Sequence, residues 1–159
     1  MSVIIGIDTG SRHTGYGVIR VEGQHHTYIS SGCLSLTDKN HADRLKRIFT
    51  GLQEIIALHC PEEAAIEQIF MHRNPGSALK LGQARGAAMV ALEIPVVEYS
   101  ARQIKQAIVG YGAASKEQVQ YMVLRLLKLS GKIQADAADA LAIAWCHAQS
   151  RVMKRIQQR

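Results

Sequence analysis

Runs of apolar residues near the start of the chain predict three strands. Val3–Ile7 is a short β-branched run that ends at Asp8, as expected for a buried strand. Residues 14–21 and 27–36 also have strand patterns, and the turn-like residues around Gly23 separate them. The beginning of the chain is therefore predicted to form an antiparallel meander.

Helical and strand patterns alternate through the remainder of the chain. Apolar residues recur with helical spacing from Leu45 to Ile56, which predicts a helix that ends near Cys60. The turn-forming residues Asn74-Pro75-Gly76 predict a loop. The other predicted elements are strands over 64–68 and 95–99 and helices over 77–92, 101–109, 115–129 and 135–151. This order is typical of an α/β fold, a mixed sheet flanked by helices.

Length and composition favour one folded domain. The chain has 159 residues, of which 47% are hydrophobic and 20% charged, as in ordinary globular proteins. We expect a single domain over residues 1–153 and a frayed basic tail over 154–159. No apolar stretch is long enough to span a bilayer, and the first residues lack the pattern of a signal peptide.

Cysteine usage gives no sign of a disulfide framework. The chain has three cysteines, an odd number, and no CxxC pair, which also argues against a zinc site. The histidines are scattered and form no metal-binding motif. A reducing cytoplasm is the simplest compartment for such a protein.

The positive charge is concentrated in the last third of the chain. The net charge is +6, yet residues 1–101 contain nine basic and ten acidic residues, whereas residues 102–159 contain ten basic and three acidic. A one-sided basic surface is typical of proteins that bind nucleic acid. Charge also promotes solubility, so this pattern alone leaves both interpretations open.

Two acidic residues stand at the ends of predicted buried strands. Asp8 follows the run 3–7, and Glu67 follows the apolar residues 64–66. An ionised carboxylate in such a position is costly unless a partner neutralises it. Each residue also has an ordinary explanation, because Asp8-Thr9-Gly10 suits an Asx turn and Glu67 suits the rim of a sheet.

A second acidic pair lies in the last predicted helix. Asp136 and Asp139 are three residues apart, so they share a helix face, and small apolar residues surround them. Interaction with the helix dipole is the ordinary explanation. Within this predicted helix, however, no lysine or arginine lies three or four positions away to relieve their repulsion.

A single explanation accounts for all four carboxylates if the fold brings them together. Strand ends and a helix end can converge on one edge of a sheet, where carboxylates raise each other's pKa unless a cation lies between them. Oxygen ligands favour Mg²⁺ or Mn²⁺ over zinc, and paired divalent ions suit the attack of water on a phosphodiester. The hypothesis is a metal-dependent nuclease whose catalytic and metal-binding residues are Asp8, Glu67, Asp136 and Asp139.

Four stretches of the chain, taken in order, resemble one protein family. The bacterial Holliday-junction resolvases of the RuvC type are closely similar to IGIDTGSRHTGYGVI, AAIEQIFMHRNPGSALKLGQARG, ARQIKQAIVGYGAASKEQV and QADAADALAIA. The resemblance covers almost the whole chain. It implies a ribonuclease-H-like fold and a homodimer that uses Mg²⁺, with Mn²⁺ as a substitute, to cut four-way DNA junctions symmetrically in recombination and repair. It also makes branch-migration motor proteins of the same pathway candidate partners.

The resemblance assigns roles to individual residues. The family's acidic quartet falls on the four carboxylates named above, and its junction-contacting aromatic falls on Phe70. Its lysines near the cleaved strand fall on Lys105 and Lys116. Thr9 stands where the family usually has proline, which removes no carboxylate but allows a less rigid turn.

Further residues are candidates for contact with DNA. Phe70 lies in a polar loop, where it could stack on an unpaired base or fold back and become buried. Lys105 and Lys116 lie in the basic third and are expected to contact phosphate or to stabilise charge in the transition state, although any lysine can simply be solvated. The weaker candidates for contact with the DNA backbone are Arg73, Lys80, Arg85 and Arg102.

A stripe of small residues lies on the helix predicted over 77–92. Gly82, Gly86 and Val90 are four residues apart, so they share a face that another element could approach closely. That element is either the sheet of the same chain or the equivalent helix of a second copy. We prefer the second copy, because a twofold dimer matches the symmetry of a four-way junction.

Three other functions are alternatives to the nuclease. Ile7-Asp8-Thr9-Gly10-Ser11 resembles the first phosphate loop of the actin and sugar-kinase superfamily, but the chain is short for two domains and lacks a second such loop. A relative that acts on RNA ends or simpler DNA would share the fold. A binding-only junction protein would gain nothing from four acidic residues.

Overall fold

The computed structural model describes residues 1–69 and 74–157, with side chains as far as Arg151. The strands are β1 (Ser2–Asp8), β2 (His13–Glu22), β3 (His25–Ser35), β4 (Glu63–Glu67) and β5 (Val96–Tyr99). The helices are α1 (His41–His59), α2 (Pro75–Leu92), α3 (Ala101–Val109), α4 (Lys116–Leu126) and α5 (Ala135–Gln157).

The five strands form one mixed sheet. Its order is β3-β2-β1-β4-β5, with β1 antiparallel to β2 and β2 antiparallel to β3. The strands β1, β4 and β5 run parallel to one another. The predicted sheet, three antiparallel strands extended by parallel ones, is therefore confirmed.

The helices cover both faces of the sheet. Alternate residues of a strand point to opposite faces, so Ile5 packs with buried residues of α1 and α2, whereas Ile4 packs with those of α3, α4 and α5. These two layers of helices bury the sheet on both sides, as expected for a sheet that contains parallel strands.

Helix α5 lies unusually close to the sheet because glycines lie beneath it. A Cβ on Gly6 would collide with the backbone at Ala140 and Ala144, and a Cβ on Gly15 would collide with the backbone of Asp136. Small side chains on the helix complete the close approach, since Ala140 and Ala144 are fully buried. The start of α5 is thereby held against the ends of β1 and β2.

Polar contacts hold the second half of α5. The buried side chain of His147 lies between Tyr99 and Glu63, with 2.8 Å from the tyrosine hydroxyl to Nδ1 and 2.8 Å from Nε2 to Glu63 Oε2. Because a carboxylate can only accept, Nε2 donates to Glu63. Arg151 Nη2 also contacts Glu63 at 3.1 Å. The helix is thus fixed at both ends of the sheet.

The ends of several helices differ from the predictions. Helix α1 begins at His41, before the apolar pattern, because the Asn40 side chain accepts from the backbone of Ala42 at 2.8 Å. The loop predicted at Asn74-Pro75-Gly76 is wrong for its last two residues. Asn74 caps α2, and Pro75 occupies the first helical position, where its missing N–H costs nothing.

The C-terminal helices also differ in length. Helix α4 ends at Leu126 rather than near residue 129, and Lys128 adopts a left-handed φ of 55° that no helix can continue. Helix α5 extends to Gln157, beyond the end expected near residue 151. The division into a domain over 1–153 and a tail stays a prediction. Within the described ranges, no helix combines the length and apolarity needed to cross a membrane.

Candidate active site

Asp8 and Glu67 end two neighbouring parallel strands. The register pairs Ile7 of β1 with Ile66 of β4, so the residues that follow them stand side by side at the carboxyl edge of the sheet. Each strand is apolar and buried up to this point. The ends of parallel strands in an α/β sheet are a common place for ligand sites.

Helix α5 brings two more carboxylates to the same edge. Asp136 lies in its first turn, and Asp139 follows one turn later on the same face. Oxygen atoms of Asp8, Asp136 and Asp139 lie within 4.8 Å of one another. Asp8 therefore forms one cluster with two carboxylates that lie more than a hundred residues later in the sequence.

A cavity of about 260 Å³ opens beside this cluster. Glu67 lies outside the 4.8 Å group but lines this cavity together with Asp8 and Asp139, whereas Asp136 belongs to the cluster without lining the cavity. The apolar part of the wall comes from α3, α4 and α5. The lining residues are Asp8, Glu67, Ala101, Ile104, Lys105, Lys116, Val119, Asp139, Ala142 and Ile143.

The site disfavours negative charge on its first two carboxylates. Burial, followed by repulsion from Asp139 and Asp136, raises the pKa of Asp8 to about 7 from an ordinary value of 3.8. Burial and repulsion from Asp139 also raise the pKa of Glu67. Such shifts are typical of a pocket that a cation would neutralise.

Two lysines provide part of the compensating charge. Lys116, the first residue of α4, places its Nζ 2.9 Å from Asp139 Oδ2, and this hydrogen bond raises the pKa of the lysine. Lys105 lines the same cavity, and its charge counteracts the rise in the pKa of Glu67. Both lysines expected from the resemblance thus lie at the carboxylate site.

The remaining candidates occupy different surroundings. Arg85 is largely covered, donates to the Glu67 carbonyl oxygen at 3.4 Å and pairs with Glu98 at 2.9 Å. Lys80 and Arg102 are exposed on α2 and α3. Phe70 and Arg73 lie outside the described residues, so their predicted contacts with DNA stay predictions.

Sequence reasoning missed a residue that touches the site. Gln120 donates from Nε2 to Asp139 Oδ1 at 3.0 Å, opposite the oxygen that Lys116 contacts. The two residues lie one turn apart on α4 and so share a face. That spacing was visible in the sequence, but no feature of an isolated glutamine marks it as functional.

Two residues beside Asp136 were also missed. His13, Cys33 and Asp136 bring a ring nitrogen, a sulfur and a carboxylate oxygen within 4.8 Å of one another. Burial, together with the charge of Asp136, raises the pKa of the Cys33 thiol. No sequence motif links these residues, because the pairing of β2 with β3 and the position of α5 bring them together.

Fold and site together define a class of protein. The sheet is mixed, with three antiparallel strands extended by two parallel ones, and helices flank it. Together with acidic groups that could hold a metal ion, this architecture defines a ribonuclease-H-like nuclease. The chain belongs to the family described as crossover junction endodeoxyribonuclease RuvC, whose model matches residues 4–147. It is accordingly a nuclease of DNA crossover junctions.

Individual relatives agree with this assignment. The crossover junction endodeoxyribonuclease RuvC of Vibrio cholerae is 60% identical over 153 residues, which cover 94% of this chain and 88% of that protein. The Acinetobacter baumannii protein of the same name is 58% identical over 153 residues, covering 94% and 84%.

Solved structures give the same result. Thermus thermophilus RuvC in complex with Holliday junction substrate matches with a TM-score of 0.90 and 36% identity, over 97% of each chain. The yeast mitochondrial resolvase Ydc2 matches with a TM-score of 0.63 and 16% identity over 95% of this chain and 80% of its own, which shows the shared fold alone. The ATP-binding and binding-only rivals are therefore set aside.

Proposed function

We propose that this chain resolves four-way DNA junctions by Mg²⁺-dependent hydrolysis of two symmetric phosphodiesters, with Asp8, Glu67, Asp136 and Asp139 as its catalytic residues. The observation that carries the proposal is the cluster of Asp8, Asp136 and Asp139 oxygens within 4.8 Å. The fold holds these carboxylates together against their mutual repulsion, which raises the pKa of Asp8 in addition to burial.

The residues present fit a hard divalent cation. The donor atoms are carboxylate oxygens, which Mg²⁺ and Mn²⁺ prefer. The pKa of Asp8 is raised by burial and then by the neighbouring carboxylates, and a bound cation would offset both effects. Asp8, Asp136 and Asp139 would hold the ion, and Glu67 at the cavity wall would join them. When bound, divalent cations supply a Lewis acid for the attacking water and the leaving oxygen.

The protein's own contribution is placement and charge. The rigid ends of β1 and β4 hold Asp8 and Glu67, while Gln120 holds Asp139 by its amide. Lys116 pairs with Asp139 and is more than half exposed, so it can turn towards a phosphate of the cleaved strand. Lys105 faces the same cavity and would stabilise negative charge that develops on the phosphate.

Contacts further from the cleaved bond are assigned by position. Lys80 and Arg102 are exposed and suit phosphate contact. Phe70 and Arg73, which lie outside the described residues, are proposed from the family resemblance to contact the junction itself. Arg85 donates a hydrogen bond to the carbonyl oxygen of Glu67 and forms an ion pair with Glu98. We therefore propose that it positions the C-terminal end of β4 in addition to any contact with DNA.

The exposed stripe on α2 supports a homodimer. Apart from the nearby backbone of α2 and the two residues adjacent to each glycine, no described atom lies within 4 Å of a Cβ built on Gly82 or Gly86. Val90 and Leu79 on the same side are 68% and 69% exposed. The sheet of the same chain is therefore not the partner of this face. An isologous contact between two α2 helices would cover it and give the enzyme the twofold symmetry of its substrate.

A charge placed on this stripe should separate the dimer. Wild-type protein is expected to sediment at about twice the chain mass of 17.5 kDa, and Val90→Glu at the mass of one chain. Leu58→Glu is the matched control, because Leu58 is equally apolar, 75% exposed and located on α1. Val90→Glu that stays dimeric, or Leu58→Glu that dissociates, would place the interface elsewhere.

Junction selectivity tests the proposed reaction. A synthetic four-way junction with each strand end-labelled in turn should be nicked in two strands of like polarity when Mg²⁺ or Mn²⁺ is present. A linear duplex of the same arm sequence should be left largely intact, and a chelator should abolish cutting. Equal cutting of the duplex, or cutting without divalent ions, would contradict the proposal.

A further inference from the structure

A second group of potential metal ligands lies beside the catalytic carboxylates. His13, Cys33 and Asp136 contribute a nitrogen, a sulfur and an oxygen, and these three atoms lie within 4.8 Å of one another. The sulfur of Cys33 is 3.9 Å from Asp136 Oδ2. The group shares Asp136 with the catalytic cluster but extends in the direction of β2 and β3.

The fold builds this group from rigid parts. The register of β2 and β3 pairs Gly15 with Cys33 and His13 with Ser35, so His13 and Cys33 are diagonal neighbours on one face of the sheet. Gly15, which lies between them on that face, has no side chain, and the backbone of Asp136 occupies the space. The first turn of α5 therefore places the carboxylate of Asp136 beside His13 and Cys33.

The chemistry of these donors differs from that of the carboxylate cluster. Mg²⁺ prefers oxygen, whereas a set of imidazole, thiolate and carboxylate suits Zn²⁺ and related borderline ions. Zinc binds such ligands at about 2.0–2.3 Å in a tetrahedron, and three protein ligands leave one position for water. His13 is exposed, so its ring can turn onto the ion and an ion can enter from solvent.

We propose that His13, Cys33 and Asp136 form a binding site for a thiophilic divalent cation, Zn²⁺ first among them, and that its occupancy inhibits the nuclease by withdrawing Asp136 from the catalytic carboxylates. On binding, the thiol of Cys33 releases its proton to solvent as the sulfur–metal bond forms. The inhibitory part of this proposal rests on the proposed function, whereas the binding site itself does not.

Cobalt binding to the metal-free protein tests the site without DNA or catalysis. The probe is Co²⁺, added in the presence of a phosphine reductant, because a cysteine–cobalt bond gives a charge-transfer band in the near ultraviolet. Wild-type protein should develop this band with one equivalent of ion. Cys33→Ser should lose it, and His13→Gln should weaken Co²⁺ binding by about tenfold or more.

Matched variants elsewhere control for other thiols and imidazoles. Cys60→Ser and His25→Gln remove an exposed cysteine and an exposed histidine that do not belong to the His13–Cys33–Asp136 group, and both variants should bind Co²⁺ as the wild type does. Absence of the band in wild-type protein, or its persistence in Cys33→Ser, would overturn the site.

Zinc inhibition tests the link to catalysis. At a fixed Mg²⁺ concentration, junction cleavage by wild-type protein should be inhibited at Zn²⁺ concentrations about tenfold or more below those needed for Cys33→Ser. Equal inhibition of the two proteins would overturn the proposal that zinc at this site inhibits the nuclease. The existence of the binding site is tested separately by the cobalt experiment. If neither protein cut the junction before zinc was added, the proposed function would fail instead.

Discussion

Replacing Asp8 with asparagine is expected to lower the single-turnover rate of junction cleavage by on the order of 10³-fold or more, with junction affinity preserved. The amide keeps the shape of the side chain but removes the charge at the centre of the carboxylate cluster. Affinity persists because carboxylates repel the phosphates and therefore contribute nothing to metal-free binding. Rates are measured with protein in excess, and affinity is measured in a chelator.

The control for this substitution is Asp38→Asn. Asp38 is also an acidic residue with a defined partner, Arg47 at 2.6 Å, but it lies outside the cluster. Cleavage by this variant should match the wild type. Joint loss of affinity and cleavage in Asp8→Asn would show that the residue holds the fold or the DNA rather than the catalytic ion.

The same substitution should change how stability depends on pH. Because the pKa of Asp8 is raised to about 7 from 3.8, the folded chain holds a proton that the unfolded chain releases. Its contribution to the free energy of unfolding is present in full below pH of about 4 and disappears as the pH rises through 7. The shift corresponds to at most about 4 kcal/mol.

Thermal unfolding in a chelator measures this effect. Metal-free wild-type protein should lose stability between pH 5 and pH 8 relative to Asp8→Asn, which has no charge to bury at that position. Divalent ions at pH 8 should recover the stability of the wild type, since they bind the folded state alone, and should do so much less for the variant. Parallel pH profiles for the two proteins would contradict the charge argument.

Gly15→Ala is expected both to destabilise the protein and to weaken its metal site. A Cβ at this position would collide with the backbone of Asp136, so the start of α5 must move away from the sheet. We expect the free energy of unfolding to fall by about 1–3 kcal/mol or more. Asp136 would move from Asp8, so the Mg²⁺ concentration for half-maximal cleavage should rise about tenfold or more.

Gly17→Ala separates the loss of stability from the loss of site geometry. A Cβ on Gly17 would lie 2.6 Å from the backbone nitrogen of Leu141, so it crowds the same helix further from its first turn. Both variants should unfold at lower temperature, but only Gly15→Ala should need markedly more Mg²⁺. An equal change in Mg²⁺ dependence would mean that α5 moves as a rigid body.

The elements that the sequence predicted well were those with strong periodicity. Every strand and helix of the described residues was predicted, because β-branched runs and helical spacing report which side of an element is buried. The errors lie at helix ends, and two of them are set by capping at Asn40 and Asn74, where a side chain bonds the backbone of residues that show no apolar pattern. Those ends depend on local hydrogen bonds rather than on burial.

The sequence by itself determined the elements, the one-sided charge and the identity of four acidic residues that needed a partner, since each of these follows from residue type and spacing. Only the tertiary structure decided that Asp8, Asp136 and Asp139 share one cluster, that Gln120 contacts it, and that His13 and Cys33 flank Asp136. Distances between remote residues depend on strand register and on the close seating of α5 over glycine. Neither the register nor the position of α5 can be read from a local sequence pattern.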